Sequence, residues 1–348
     1  MEVFKAYRTL KNEPIYMKSD TVSDSINRAQ DNNGIIYPAQ VCGDKVCIIA
    51  DIKKGDNEFT FCETQPHDGI GITLIMNDDE KRIDFKIDGK PFTSYVYSDE
   101  FVKPFLGPIY NSCGESFTRL DFDTKEHPHH RSVFLGVGDV NGIDFWNEPA
   151  DRGSQKHVGF RDIVCGAAFA KFTADNVWLS VDDVPMMDES RTFTIYNQGE
   201  QYNCIDVEIV FTASYRNIEF GATKEAGPLG IRVNEQLRAD KGSGVMINSY
   251  GAVGESECWG RSAHWCDYSG EISGRRCGIA VFDNEQNERY PTAWHIRDYG
   301  LFAANNLFFK GGLSIPQGGS LTYKYRMWFY EYGFNHDERF VQYVNNER

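Results

Sequence analysis

Hydrophobic and polar residues alternate with a period of two over several long stretches of the chain. Every second residue is apolar between 321 and 329, and the same alternation runs through 205–212. Two further alternating runs, 83–87 and 92–96, are separated by a segment containing Asp88-Gly89. A period of two is typical of β-strands with one buried face, and Asp-Gly between such runs indicates a tight hairpin. The pattern therefore predicts a mainly antiparallel, all-β fold.

A helical pattern is found only at the C-terminus. Asn335 can cap a short helix, with Glu338 three residues later and apolar residues following. The polar run 77–82 lies between two apolar segments, so it either separates a small N-terminal β unit from the main domain or forms a hairpin loop. We predict a small N-terminal unit over 1–78, which can also be part of the main sandwich, and a large β-sandwich over 79–348 with a short C-terminal helix.

Charge and cysteine content narrow the classes of partner. The chain has 348 residues, with 36 Lys and Arg against 51 Asp and Glu, which gives a net charge of −15. Such a surface repels phosphates, which argues against nucleic acid and anionic membranes as partners. The N-terminal sequence lacks a secretory pattern, no apolar run is long enough to span a membrane, and the nine cysteines form no CxxC pair. We expect a cytoplasmic protein with reduced thiols; the sequence does not indicate its oligomeric state.

Three histidines crowd into the segment His127-Pro128-His129-His130-Arg131. On a strand, His127 and His129 would share one face and could bind a divalent metal, while His130 would point to the other. The glutamate that a cupin-like metal site would need does not follow, and Pro128 suggests a loop or a strand edge. We predict His129 as an acid–base group, His130 and Arg131 as substrate-binding residues, and His127 with His129 as a tentative metal pair. The alternative is a hydrogen-bonded cluster without metal.

The segment 136–148 follows, with acidic and amide side chains beside a tryptophan. It has neither the third glycine of a dinucleotide loop nor the glutamate of a calcium loop. An aromatic ring with carboxylates and amides nearby is a common way to hold a sugar. We predict Asp144 as catalytic and Asn141 and Trp146 as substrate-binding, against the alternative of a β-turn with its tryptophan in the core.

Three later segments also combine aromatic and titratable residues. Lys224 and Glu225 lie in a glycine-flanked stretch, Trp259 begins a run of aromatic and polar residues at 259–270, and the segment 291–300 combines both kinds. We predict Glu225 and His295 as catalytic residues. The predicted substrate-binding residues of these segments are Lys224, Trp259, Arg297 and Asp298.

These segments together resemble a bacterial family whose members often carry the label methane oxygenase PmoA and are otherwise of unknown function. The matching text is HPHHRSVFLGVGDVNGIDFWNE, FGATKEAGPLGIRV, INSYGAVGESECWGRSAHWCDYSG and GIAVFDNEQNERYPTAWHIRDYGLFAAN. Ala263-His264-Trp265 departs from the family's usual Ala-Pro-Trp. The oxygenase label conflicts with the absence of spanning segments. The resemblance implies a mutarotase-like supersandwich and a setting in bacterial sugar catabolism.

The sequence favours a carbohydrate-active enzyme whose partner is a small sugar or glycoside. One version cleaves a keto-sugar glycoside by acid–base elimination and hydration, as a lyase or hydrolase. The alternatives are a sugar epimerase or mutarotase, a non-catalytic carbohydrate-binding protein, and a metal-dependent oxygenase. No cofactor is certain, and a divalent metal is the one cofactor that the histidines suggest.

Overall fold

The computed structural model describes residues 1–19, 23, 25–63, 71–120, 126–148, 151–199 and 201–346. Over these residues the chain consists mainly of β-strands in antiparallel sheets, which confirms the predicted all-β class.

The first six strands form an N-terminal sheet in the order β1-β6-β3-β4-β5-β2. They are β1 (Glu2–Ala6), β2 (Leu10–Lys18), β3 (Arg28–Asp31), β4 (Ile36–Cys42), β5 (Lys45–Ile52) and β6 (Gly55–Cys62). The sheet has a small apolar core of its own, formed around Ile15, Ile48 and Phe59.

Two eight-stranded sheets form the sandwich. The first sheet has the order β21-β22-β17-β11-β10-β9-β8-β7 and contains β7 (Ile72–Asn77), β8 (Arg82–Ile87), β9 (Lys90–Val96), β10 (Phe105–Ile109), β11 (Val133–Val137), β17 (Ala226–Arg232), β21 (Trp294–Ile296) and β22 (Leu301–Ala304). The second has the order β12-β13-β14-β15-β24-β20-β19-β18 and contains β12 (Ser154–Cys165), β13 (Phe169–Leu179), β14 (Pro185–Tyr196), β15 (Tyr202–Thr212), β18 (Val245–Asn248), β19 (Trp265–Ile272), β20 (Arg275–Asp283) and β24 (Ser320–Glu331). A separate pair is formed by β16 (Ile218–Phe220) and β23 (Leu313–Ile315).

The alternating segments form the strands that they predict. The runs at 205–212 and 321–329 pair with each other as β15 and β24. Asp88 and Gly89 both have positive φ, +48° and +79°, as a two-residue turn between β8 and β9 requires. The polar run 77–82 joins β7 to β8 in one hairpin. The last strand of the N-terminal sheet ends earlier in the chain, at Cys62. The division at residue 78 stays a prediction.

Apolar side chains from the facing sides of the two sheets form the main core, which includes the fully buried Trp178 and Trp294. A second cluster, around Trp328 and Phe282, covers the other face of the second sheet, where Cys47 and Ile49 of β5 pack against it. The N-terminal sheet therefore packs on the second sheet, and none of its described apolar residues joins the aromatic cluster around Phe134 on the outer face of the first sheet.

Two α-helices, α1 (Glu255–Cys258) and α2 (His336–Asn346), and a 3-10 helix at Glu235–Leu237 complete the described chain. Asn335 Oδ1 accepts a hydrogen bond of 3.3 Å from the backbone N–H of Glu338, as predicted for the cap of α2. Tyr343 of α2 packs into the cluster around Trp328. In the part of the chain that the structure describes, no helix has the length and apolar character that crossing a membrane requires.

Candidate active site on the outer face of the first sheet

One row of cross-strand neighbours places His295 on the outer face of the first sheet. The flanking residues Trp294 and Ile296 belong to the main core, so the side chain of His295 points the opposite way. The register continues this row across five further strands, through Ala303, Gly230, Phe134, Phe105 and Val96. The ring of Phe134 fills the space above Gly230, where an added Cβ would lie 2.9 Å from it. This row is the floor of the candidate site.

The segment 127–130 forms a turn across this floor, in line with the loop that Pro128 suggested, so His127 and His129 do not share a strand face. His127 has φ +50°, and its carbonyl accepts a hydrogen bond from His130 N. Because of the turn, it is the His127 and His130 rings that lie parallel, 5.0 Å apart. The stack continues to Phe134 on one side, at 5.3 Å, and to Tyr299 on the other, at 4.7 Å. The histidines are thus built into an aromatic stack.

His129 lies at right angles to this stack, 4.3 Å from His130. Burial lowers the pKa of His129 to about 3, and the neighbouring Lys103 ammonium acts in the same direction. Burial also lowers the pKa of Lys103, to about 8. Arg131, predicted to bind substrate, forms an ion pair of 2.5 Å with Glu148, which also lies 3.5 Å from Lys103. This end of the floor is a buried ionic network around a neutral histidine.

His295 is held in one orientation by the backbone. Its Nδ1 lies 2.7 Å from the carbonyl oxygen of Lys224. A carbonyl can only accept, so Nδ1 carries the proton and Nε2 of the neutral ring has a free lone pair. Burial lowers the pKa of His295 to about 4, and the nearby Arg297 adds to this effect. The ring is therefore neutral at pH 7, with an available basic nitrogen.

Glu225 and an aromatic rim lie beside His295. The Glu225 carboxylate, 37% exposed, lies 3.5 Å from the Lys224 ammonium and accepts a hydrogen bond of 3.1 Å from Thr223. Trp259 is 36% exposed and its ring meets that of His295 edge to face at 6.4 Å. The half-exposed Phe308 lies next to Trp259. An exposed aromatic rim over a polar floor suits a sugar, whose C–H faces stack on aromatic rings.

Tyr299, in the turn between β21 and β22, places its ring next to two guanidinium groups. The Arg232 and Arg297 guanidinium carbons lie 5.1 and 5.4 Å from the centre of the Tyr299 ring. Arg297 also forms an ion pair of 3.0 Å with Glu255. Burial raises the pKa of Tyr299, and the two guanidinium groups oppose the shift. Because burial raises the pKa of Tyr299, the phenol keeps its proton at neutral pH.

Four of the predicted residues have evident structural contacts. Asp144 accepts hydrogen bonds from the backbone N–H groups of Trp146 and Asn147, which closes a turn. Trp146 itself is buried against Phe134, not exposed as a platform. The amide oxygen of Asn141 accepts a hydrogen bond from the backbone N–H of Glu219 in β16, and its amide nitrogen donates one to the carbonyl oxygen of Asn217. Asp298 contributes its backbone: its N–H donates to Glu255, and its carbonyl accepts from Tyr268. These contacts explain the four residues without a ligand.

Buried nitrogens without a hydrogen-bond partner concentrate on this face. They are His127 Nδ1, both ring nitrogens of His130, His295 Nε2 and the three side-chain nitrogens of Arg232. Folded proteins pair nearly all such groups, so exceptions call for a partner such as an ordered water, an ion or a ligand. This concentration marks the outer face of the first sheet as the candidate site.

The described residues do not fit a metal ion. No group of three or more His, Cys, Asp or Glu side chains within them could hold one. The His127 and His129 rings lie 6.0 Å apart between centres and are inclined by 73°. His127 is also stacked between Tyr299 and His130, with its ring faces covered. The chemistry of this site is therefore considered without a metal. The metal pair of His127 and His129 stays a prediction, which elemental analysis can test.

Sequence reasoning missed Arg232, Tyr299, Phe134 and Lys103. Arg232 and Gly230 lie two residues apart on one strand, so a period of two along β17 places them on one face. Tyr299 lies within the segment 291–300 that was singled out. The signals for Arg232 and Tyr299 were thus present locally, whereas those for Phe134 and Lys103 required the register of the sheet.

A family model described as a family of unknown function, DUF6807, matches residues 82–343, and the chain belongs to this family. The match agrees with the expected absence of an assigned function and does not show a methane oxygenase. No curated protein matches the chain. Similar solved structures include two variants of the GH36 α-galactosidase AgaA from Geobacillus stearothermophilus, in complex with 1-deoxygalactonojirimycin and with raffinose. Both are 8% identical, with TM-scores of 0.35 and 0.33, and cover 75% of this chain. The chain spans 41% of the length of those enzymes.

Proposed function

We propose that this member of the family is a carbohydrate-active enzyme that cleaves a keto-sugar glycoside by elimination followed by hydration. The observation that carries the proposal is His295, a buried neutral imidazole with its Nδ1 proton fixed on a backbone carbonyl and its Nε2 unpartnered. A buried base in one fixed tautomer is what proton abstraction from carbon needs.

The first step is removal of a proton. A ketone at C3 of the sugar acidifies the C–H bond at C2, and His295 Nε2 accepts that proton. The electron pair of the C–H bond moves into the C2–C3 bond and places negative charge on the C3 oxygen. Arg297, close enough to His295 to lower its pKa, supplies a positive charge to this oxyanion.

The second step expels the aglycone. The oxyanion re-forms the ketone, a C1–C2 double bond forms, and the C1–O bond breaks. The leaving oxygen needs a proton, which we assign to the Tyr299 hydroxyl because burial raises its pKa and keeps it protonated. The sequence predicted two other catalytic acids, Glu225 and Asp144. The Glu225 carboxylate is paired with Lys224, and the Asp144 carboxylate accepts a backbone hydrogen bond in a turn. Addition of water to the double bond at C1 completes net cleavage without any oxidant.

The rim of the site supports a sugar as the substrate. Trp259 and Phe308 expose apolar ring surface next to the base, while the floor offers unpaired nitrogens. Epimerisation or mutarotation of a sugar would use the same base without expelling a group, and sugar binding without catalysis would need only the rim and the floor.

The test is release of p-nitrophenol from p-nitrophenyl 3-keto-β-D-glucoside, together with exchange of the C2 proton in deuterated water. We expect both reactions in the wild type and a loss of at least about a hundredfold in the His295→Asn variant. Asparagine can place an amide N–H near the position of Nδ1 but provides no base. The matched control is His264→Asn, since His264 contacts Tyr250 and Tyr290 instead of the site.

The outcomes separate the alternatives. Exchange without release of p-nitrophenol would replace cleavage with epimerisation. Binding of the glycoside without exchange would replace catalysis with plain binding. Equal loss in the His295 and His264 variants would remove the assignment of His295 as the base.

A further inference from the structure

We propose that the natural substrate carries a carboxylate and that Arg232 binds it, so that the substrate class is an acidic sugar glycoside such as a uronide. This inference rests on the proposed function and narrows its substrate. The feature that carries it is a completely buried guanidinium group that finds no hydrogen-bond acceptor in the described part of the chain.

Arg232 ends β17, and its side chain is 0% exposed. Among the described residues, none of its three side-chain nitrogens has a hydrogen-bond partner. A carboxylate oxygen of Glu235 lies 3.5 Å from the guanidinium group. That carboxylate is 47% exposed and also forms ion pairs with Arg238, at 2.8 Å, and Arg119, at 3.4 Å. A shared, partly hydrated carboxylate leaves the Arg232 charge poorly compensated, which is costly for a buried ion.

The guanidinium group belongs to the candidate site. It lies 5.1 Å from the centre of the Tyr299 ring, and its charge lowers the pKa values of His127 and His130 in addition to the effect of burial. Gly300 packs beside it, where an added Cβ would lie 3.6 Å from Nε and 3.0 Å from the Val233 side chain. The group is thus enclosed next to the proposed acid, Tyr299.

The rings of Tyr299 and His127 lie beside Arg232. Both residues are half-buried, and their rings stack 4.7 Å apart. A ligand that reaches the guanidinium group must displace this stack, which costs the stacking energy of the two rings.

The chemistry favours a carboxylate over a phosphate. A planar guanidinium group matches the two oxygens of a carboxylate in a bidentate arrangement. The rim carries Glu225 and Glu255, whose charges disfavour a dianion more than a monoanion. One enclosed guanidinium group therefore suits one carboxylate.

The test compares two glycosides that differ only at C6, methyl β-D-glucuronide and methyl β-D-glucoside, by isothermal titration of the full chain. We expect the glucuronide to bind at least about tenfold more tightly to the wild type, and the two affinities to become equal in Arg232→Gln. Arg161→Gln is the control, because Arg161 is an exposed residue paired with Asp175 on the second sheet. This variant should keep the preference.

Equal affinities in the wild type, or no binding of either glycoside, would overturn the inference without needing a folded variant. A preference that survives in a folded Arg232→Gln protein would overturn the role of Arg232. The proposed function is tested independently, by proton exchange and aglycone release. His295-dependent release with equal affinities removes only the acidic substrate, whereas glucuronide preference without exchange removes only the catalysis.

Discussion

Acid should destabilise this protein through His295. The pKa of this residue is about 4 in the folded chain, because the ring is buried, and close to its ordinary value of 6.5 in the unfolded chain. Between these values the unfolded chain binds more protons than the folded one. The free energy of unfolding therefore falls as the pH falls from about 6.5 to about 4, and the contribution of His295 is fully present above pH 6.5.

The size of the effect follows from the two pKa values. At pH 5 the unfolded histidine is nearly all protonated and the folded one nearly all neutral. With 1.36 kcal/mol for each pH unit, the loss between pH 7 and pH 5 is about 2 kcal/mol. Other groups titrate in this range: His129, with a pKa of about 3, adds a loss, whereas Glu13, raised by burial to about 7, adds a gain. The total slope cannot isolate His295.

A difference between two proteins can isolate it. Urea unfolding of the wild type and of His295→Asn, each at pH 7 and pH 5, gives four free energies of unfolding. The other titrating groups are common to both proteins, so the wild type should lose about 2 kcal/mol more than the variant. Parallel pH dependence in the two proteins, within about 0.5 kcal/mol, would refute the buried neutral state of His295.

Three further predictions concern a buried ion pair, the aromatic rim of the site and the metal content of the protein. Arg339→Ala should lower the free energy of unfolding by about 3 kcal/mol in urea, because it removes the 2.6 Å partner of the buried Glu13; Glu13→Gln in the same chain should restore part of the loss. Trp259→Ala should raise KM for the keto-glycoside about fivefold to tenfold with little change in kcat, measured by p-nitrophenol release, since only stacking at the rim is lost. Elemental analysis of tagless protein should find substoichiometric transition metal, and EDTA should leave the activity unchanged, because the described residues provide no three-donor group; one equivalent that is lost in His129→Ala would contradict this.

The elements of the fold could be predicted because they depend on local patterns. A period of two identified β15 and β24 separately, and Asp88-Gly89 identified a hairpin. The order of strands in each sheet could not be predicted, since it depends on pairing between segments far apart in sequence. The charged run at 77–82, which the sequence leaves as either a domain boundary or a hairpin loop, joins β7 to β8, and the last strand of the N-terminal sheet ends before it, at Cys62.

The candidate site shows the same division between local and distant information. Titratable residues near aromatic ones were recognised in the sequence, and the sheet register places His295 and Phe134 in one row although they are far apart in the chain. What the sequence could not separate is a carboxylate engaged in a turn, such as Asp144, from one on the exposed rim, such as Glu225. Both lie in glycine-containing loops, and only the backbone conformation distinguishes them.

The energetics of this face argue for a ligand. Neutral buried histidines and the poorly compensated charge of Arg232 lower the stability of the unliganded protein, and a core of apolar residues of similar volume would avoid that cost. A ligand that accepts hydrogen bonds from Arg232 and donates one to His295 Nε2 binds the folded chain alone, so it shifts the unfolding equilibrium by mass action. The floor of the first sheet is then a surface that is destabilising when empty and stabilising when occupied. Such an arrangement is expected of a preorganised binding site, and it is not required of a purely structural sheet face.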